Sequence, residues 1–308
     1  MKALTPGVSV PTTTALIFLL LLSVAPQAGA DELDSELEDL AAAEQEYQFV
    51  QTRTCMPSGP HQCEQGEQPL PVQWATGRVE YVINERGSQA LHPDESELTD
   101  ALKEDVFVSF EQWNEPDCSD FEMIYAGKTS RDQAGYDDSI SRSENLNIIL
   151  WRDESWPHPQ YDAVALTTVT FQPQTGEIVN ADIEFNTADY RFTNSDDEVQ
   201  VDVRNTLTHE VGHFLGLDHS PVSSSTMFAT APPGETQKRD LHDADIAGLC
   251  FIYPEGETYD LPDSRDSGTG TSTCSSASPG LNSSVFIVAF ALLGWSVVRR
   301  RRQLLGVQ

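Results

Sequence analysis

A single α+β domain over residues 48–256 is predicted, and three observations carry it. Short runs with strand-like alternation recur through the stretch, three runs have helical periodicity, and turn-forming residues separate them. Arg78–Asn84 (RVEYVIN) alternates as a half-buried strand does and stops at Glu85-Arg86-Gly87-Ser88. Between Glu95 and Asn114, the side chains Leu98, Leu102, Val106, Phe110 and Trp113 recur about one helical turn apart, which predicts an amphipathic helix. Strands are expected at Phe121–Ala126, Leu146–Arg152, Ala163–Phe171 and Ile178–Phe185, the last two joined as a hairpin through Gln172–Gly176. Val201–Leu217 reads as a second helix and Leu241–Tyr253 as a third, halted by Pro254. No internal repeat interrupts this order.

Composition excludes some functions. The 308-residue chain carries 18 basic and 49 acidic side chains, a net charge of −31. Lys2 and Arg299–Arg302 lie in terminal segments without acidic residues, so residues 31–298 hold 13 basic against 49 acidic groups. Such a surface repels phosphates, and nucleic-acid binding is not expected. Aromatic and β-branched residues run through 70–254, which excludes whole-chain disorder.

Both ends read as addresses. Residues 1–30 have a positive start at Lys2, an apolar run at Ala15–Val24 and a small-residue cleavage site at Ala28-Gly29-Ala30, the pattern of a secretory signal peptide. Residues 31–47 form an acidic leader. At the far end, a Ser/Thr/Gly stalk over 257–284 precedes a hydrophobic segment and Arg cluster at 285–302, with Val285–Val298 uncharged. Cys274, this apolar segment and the four arginines together resemble bacterial C-terminal sorting tails of the myxobacterial kind. The alternative is an ordinary membrane-anchoring helix. Either way the protein is expected outside the cytoplasm, where its cysteines can be oxidised.

The chemistry concentrates in HEVGHFLGLDHS, His209–Ser220. His209 and His213 are four apart, about 40° around a helix, so both imidazoles face one point. Glu210 lies beside them, within reach of a water held there. His219 would be rotated away by roughly 240° if the helix continued. Gly216 removes the difficulty, because glycine tolerates the positive φ at which a helix ends and the chain turns back. Three neutral imidazoles and a water make the open tetrahedral site of a catalytic zinc. A bare HExxH arises by chance in roughly one chain in a hundred of this length, but the added glycine and third histidine lower that to roughly one in 10⁵.

HExxHxxGxxH followed by a Met-turn is the metzincin protease signature. The candidate methionine is Met227, in Ser225-Thr226-Met227-Phe228. Ser220, the spacing to Met227, and Leu241–Tyr253 as a closing helix resemble the matrixins, the matrix-metalloproteinase-like branch. The resemblance implies a metzincin-like fold: a twisted five-stranded mixed sheet packed with three main helices, and an active-site helix followed by a Met-turn. It implies one catalytic Zn2+ on His209, His213 and His219, Glu210 as general base, and Met227 as an apolar floor beneath the metal. The function implied is a zinc-dependent endopeptidase acting on protein or peptide substrates, with a peptide adding to the edge strand of the sheet. Ala231-Pro232-Pro233-Gly234 falls where the family walls the pocket for the residue after the cleavage point. A monomer is expected, reaching a membrane only through its C-terminal segment.

Some positions depart from the family pattern. Glu184 stands where a histidine of a structural zinc site is expected, and His158 is the only histidine nearby, so a second zinc is not expected; Ca2+ on Asp and carbonyl oxygens stays compatible with the composition. Phe228 replaces a tyrosine, removing a phenol from the oxyanion's reach. Cys55, Cys63, Cys118 and Cys250 allow three pairings, which sequence does not choose between; Cys55–Cys63 with Cys118–Cys250 is the working expectation. The competing function is a catalytically silent adhesion or binding protein on the same fold, whose usual mark would be loss of the residue at Glu210.

Overall fold

The computed structural model describes residues 48–55, 63, 69–256 and the strand 284–292. The chain divides into two units, Met1–Ala42 and Ala43–Gln308, and the described residues all lie in the second. The expected signal peptide and leader, most of the stalk, and residues 293–302 lie outside the described residues.

The elements are β1 (Val50–Gln51), β2 (Arg78–Asn84), α1 (Asp100–Asn114), β3 (Glu122–Thr129), β4 (Ile148–Trp151), β5 (Ala165–Phe171) and β6 (Ile178–Phe185). After them come β7 (Phe192–Thr193), β8 (Val201–Asp202), α2 (Val203–Phe214), β9 (Leu217–Asp218), β10 (Thr230–Ala231), α3 (Asp243–Ile252) and β11 (Ser284–Leu292). The main sheet has the order β10-β11-β5-β6-β4-β2-β3. Five of these strands form the mixed five-stranded sheet that the resemblance implies: β3, β2, β4 and β6 run parallel, and β5 is antiparallel to β6. Every residue of β5 and β6 is buried, so both faces of these strands are covered.

Helix α1 begins five residues later than its periodicity suggests. Thr99 caps it, its hydroxyl accepting from the Leu102 amide at 3.2 Å, and the Leu98 amide is drawn away to the Glu85 carbonyl at 2.8 Å. The inward face is the expected one: Leu102, Val106 and Phe110 are fully buried and Trp113 nearly so. Phe110 stacks on Tyr81 of β2 with centroids 3.8 Å apart and meets Phe214 of α2 edge-on at 5.8 Å. Each such buried ring contributes about 1.5–3 kcal/mol, which fixes the two helices against each other and the sheet.

The second helix is shorter than Val201–Leu217 at both ends. Val201 and Asp202 pair with β7, and the Asp202 carboxylate caps the helix by accepting from the Asn205 amide at 2.8 Å. At the other end Gly216 takes φ +97°. Two carbonyls left open by that ending find donors at once. The Trp74 indole donates to Phe214 O at 2.8 Å, and the Tyr253 hydroxyl donates to Leu215 O at 2.7 Å. Beyond the turn, β9 is pulled out as a strand by antiparallel pairing with β1. Helix α3 is capped reciprocally: the His242 side chain accepts from Ala244, and Asp245 accepts from the His242 amide. Disulfides join Cys55 to Cys63 and Cys118 to Cys250, as expected; the second ties α3 to the segment between α1 and β3 across 132 residues.

At the C-terminal side, Ser284 of the expected stalk and Val285–Leu292 of the expected hydrophobic segment form a strand. Among the described residues no helix is long and apolar enough to cross a membrane. The physical reason is local: Val285, Phe286, Ile287, Val288 and Phe290 favour extended backbone, and β5 offers an edge on which to pair.

Gly216→Ala tests the helix ending. A Cβ there would lie 2.3 Å from the Val72 carbonyl oxygen, in a left-handed backbone conformation. The expected loss is about 2 kcal/mol or more in urea unfolding, with His219 displaced. An unfolding midpoint within error of wild type would refute the account.

Candidate metal centre and active site

Helix α2 presents His209 and His213 from one face, and the turn at Gly216 returns His219 to them. The Nε2 atom of His213 lies 3.1 Å from that of His209 and 3.2 Å from that of His219. Ligand nitrogens about 2.05 Å from a tetrahedral zinc would be roughly 3.3 Å apart, so the spacing fits that ion. Among the described residues this triad is the one group of three or more His, Cys, Asp or Glu side chains that could hold a metal.

The remaining ring nitrogens are committed elsewhere. His209 Nδ1 is 2.6 Å from Thr226 O, and His213 Nδ1 is 2.8 Å from Leu217 O. A carbonyl only accepts, so each Nδ1 carries the proton and each Nε2 keeps its lone pair for the centre. Burial pushes both imidazoles well below the usual histidine range, and their mutual repulsion adds to it. His219, at the rim with about a quarter of its side chain exposed, is also lowered by burial. All three are therefore held neutral, the form that binds a metal.

Glu210 is fully buried. One oxygen, Oε2, accepts from the Thr167 hydroxyl of β5 at 2.5 Å, and that hydroxyl also lies 3.1 Å from the Glu210 carbonyl. The other oxygen, Oε1, has no hydrogen-bond partner among the described residues. Burial raises the carboxyl to about 8, against the lowering by Thr167. A buried carboxylate oxygen without a partner is costly unless something else occupies its lone pairs, and a cation with its water beside the triad would do so. The donor set and this orphaned oxygen both fit a catalytic zinc.

Met227 is buried beneath the helix, where a Cβ on Gly212 would come within 2.1 Å of its sulfur. Glycine is thus required for the close approach of Met227 to α2. The turn holding Met227 is anchored by a residue that sequence reading missed. Buried Asp245 accepts from the Ser225 hydroxyl at 2.5 Å, the Thr226 amide at 2.7 Å and the Met227 amide at 3.1 Å. Thr226 is the residue whose carbonyl fixes His209, so Asp245 orients that imidazole through one peptide unit. Its signal was present as the acidic third residue of a helix cap, but nothing in the sequence says which turn it grips. Thr167 had no signal at all, since the register of β5 over α2 is a tertiary fact.

At the other side of the sheet, Glu184 is met by Arg152 at 2.5 Å and by His158 Nε2 at 2.8 Å. Burial alone would raise Glu184, but the His158 hydrogen bond and the Arg152 charge outweigh it and hold the carboxyl below its ordinary value. An ion-paired cluster therefore stands at the position where the resemblance puts a histidine. Nearby Asp182, accepting from the Gly135 and Ile148 amides at 2.6 and 2.8 Å, is pushed up to about 7 chiefly by burial.

Residues 143–254 match the model of the matrixin family. The chain is 29% identical over 131 residues to metalloendoproteinase 4-MMP of Arabidopsis thaliana, covering 41% of this chain and 37% of the relative. With the Arabidopsis metalloendoproteinase 2-MMP it shares 24% identity over 195 residues, 63% of this chain and 48% of that one. It is 36% identical over 83 residues to rat (Rattus norvegicus) matrilysin, 27% of this chain and 30% of that one. The matches support a matrixin-type metalloprotease. The chain spans less than half the length of each of these relatives.

Two outcomes follow. Asp245→Ala strands the Thr226 and Met227 amides, with an expected loss of about 2–4 kcal/mol in urea unfolding and zinc affinity about 10–100-fold weaker by competition titration; unchanged zinc affinity would show that the turn does not orient His209. Asp182 has a folded pKa raised above its unfolded value of 3.8, so the stability it contributes is full at low pH and is lost as pH rises through about 7. The stability of Asp182→Asn relative to wild type should therefore climb between about pH 4 and pH 8 in thermal melts, and a difference that stays flat across that window would refute the assignment.

Proposed function

We propose that this chain is an exported zinc endopeptidase of the matrixin type. The observation that carries the reading is the convergence of three neutral imidazole nitrogens beside a buried glutamate with one unpartnered oxygen. His209, His213 and His219 would hold the metal, with Met227 as the Met-turn residue beneath them. Bound zinc supplies Lewis-acid polarisation of a scissile carbonyl and of the attacking water.

The protein's own groups do the rest. Glu210 is the general base: Oε1 takes a proton from the attacking water and returns it to the leaving amine as the C–N bond breaks. The Thr167 hydroxyl occupies Oε2, which restrains the carboxylate and leaves Oε1 for the proton. The burial of Glu210 raises its basicity above that of an ordinary carboxylate. A substrate in extended form would add to the outer edge of β5, with main-chain hydrogen bonds supplying affinity in place of side-chain recognition. Ala231–Gly234 would wall the pocket for the residue after the cleaved bond.

Two disulfides and the N-terminal pattern support action outside the cytoplasm. The C-terminal Arg cluster with its apolar segment supports sorting to the cell surface. Protein or peptide substrates and a monomeric state complete the reading.

The test uses purified chain, zinc quantified per molecule, and a quenched peptide library. About one zinc per chain is expected, with hydrolysis abolished by a chelator and restored by zinc. Glu210→Ala should keep the metal and lose about 10²–10⁴-fold in kcat. Full zinc occupancy with no hydrolysis under any condition would favour the silent binding protein instead, and a folded chain that takes up no zinc would sink the site.

A further inference from the structure

The edge of β5 that a substrate would need is already filled, and the chain itself fills it. Ser284–Leu292 runs antiparallel along β5 from Ser284 opposite Phe171 to Phe290 opposite Ala165. Its last two residues, Ala291 and Leu292, pair parallel with Thr230 and Ala231 of β10. The strand thus bridges the two walls of the cleft. Val288 lies opposite Thr167, the residue that holds Glu210, and the strand comes against helix α2 itself. Between Val288 and Ala291 its backbone passes from β5, where Val288 pairs with Thr167, to β10, where Ala291 pairs with Thr230.

We propose that Ser284–Leu292 is a ligand of this cleft in cis, seated as an extended substrate would be, and that it excludes other peptides while it is there. The exclusion of substrate rests on the peptidase reading; the docking does not. Three observations fit this occupant. The segment is uncharged and rich in strand-forming residues on a chain otherwise strongly acidic, so it pairs with β5 without burying a charge. An unpaired edge of β5 would leave a row of backbone donors and acceptors open to another chain, and β11 satisfies them. The 27 residues between Gly256 and Ser284 can reach up to about 90 Å, so attachment in cis is not strained. A covalently attached strand competes at an effective concentration of the order of millimolar, enough for modest intrinsic affinity to keep a cleft occupied. The class of peptide that the cleft accepts is named by the same token: an extended, uncharged, apolar segment.

The test uses the full chain carrying Ile287→Pro and Val288→Pro together. Two adjacent prolines remove the N–H facing β5 whichever way the ladder alternates. Hydrogen exchange should then speed about tenfold or more at amides of residues 165–171 that face β11, with the α1 and α2 amides unchanged as the control for folding. In the Glu210→Ala background, where turnover is slowed about 10²–10⁴-fold, a fluorescein-labelled peptide of residues 282–292 with two added lysines should bind the double-proline chain about tenfold or more tighter than the chain with its native tail. Unchanged exchange at 165–171, or equal peptide binding by both chains, would overturn the proposal. If exchange and binding respond as expected but neither chain hydrolyses any peptide, the docking stands and the peptidase reading falls. If both hold and the double-proline chain cleaves library peptides about fivefold or more faster, tail docking and gating both stand.

Discussion

A straight helix can aim two of these three histidines at one point but never the third, and most of the fold answers to that constraint. Helix α2 has to stop within a turn of His213, and stopping exposes carbonyls in the middle of the protein. Trp74 and Tyr253, which come from opposite ends of the described domain, supply the donors. Tyr253 in turn accepts from the Trp74 amide at 3.0 Å, so the two caps are one linked unit. β1 then draws the chain outward as β9, which delivers His219. The site therefore depends on segments some 200 residues apart in sequence, and none of them touches the chemistry.

A second requirement concerns proton positions. An imidazole offers a lone pair to a metal only when its other nitrogen keeps the proton, and here backbone carbonyls decide the matter for His209 and His213. Backbone carbonyls are better suited to this than carboxylates would be in so buried a place, since they carry no net charge to desolvate. The cost moves to the turns that aim those carbonyls. Asp245 bears it at Thr226, with its own charge spread over three hydrogen bonds from one turn and a fourth from the α3 cap.

How far the sequence revealed all this depends on the range of each interaction. The His–Glu–His–Gly–His spacing is local and periodic, so the candidate ligands, the glutamate beside them and the turn were legible before any fold was known. The inward face of α1 was legible for the same reason, whereas its first turn was not: Leu98 is claimed by Glu85, a contact between elements. Thr167 and Asp245 stayed hidden because an alternating strand and a helix cap look the same whatever they lie against. Glu184 is intermediate. Its departure from the family pattern was visible, but the Arg152 and His158 partners that make a buried carboxylate tolerable there are set by strand register.

The C-terminal segment shows where hydropathy is ambiguous in principle. A run of β-branched and aromatic residues is equally apolar as helix or strand, and only the surroundings choose. As a helix, the fourteen uncharged residues Val285–Val298 would extend about 21 Å, short of the roughly 30 Å of bilayer core. As a strand, eight of them lie in β11, where Val285–Phe290 meet β5 and Ala291–Leu292 meet β10. The two placements exclude each other, because residues paired with β5 cannot also lie in lipid. Whatever removes this segment from the cleft, whether a membrane or a cut upstream of Ser284, would expose the same edge. Surface delivery and an open site would then be consequences of one event, without any separate switch near the histidines.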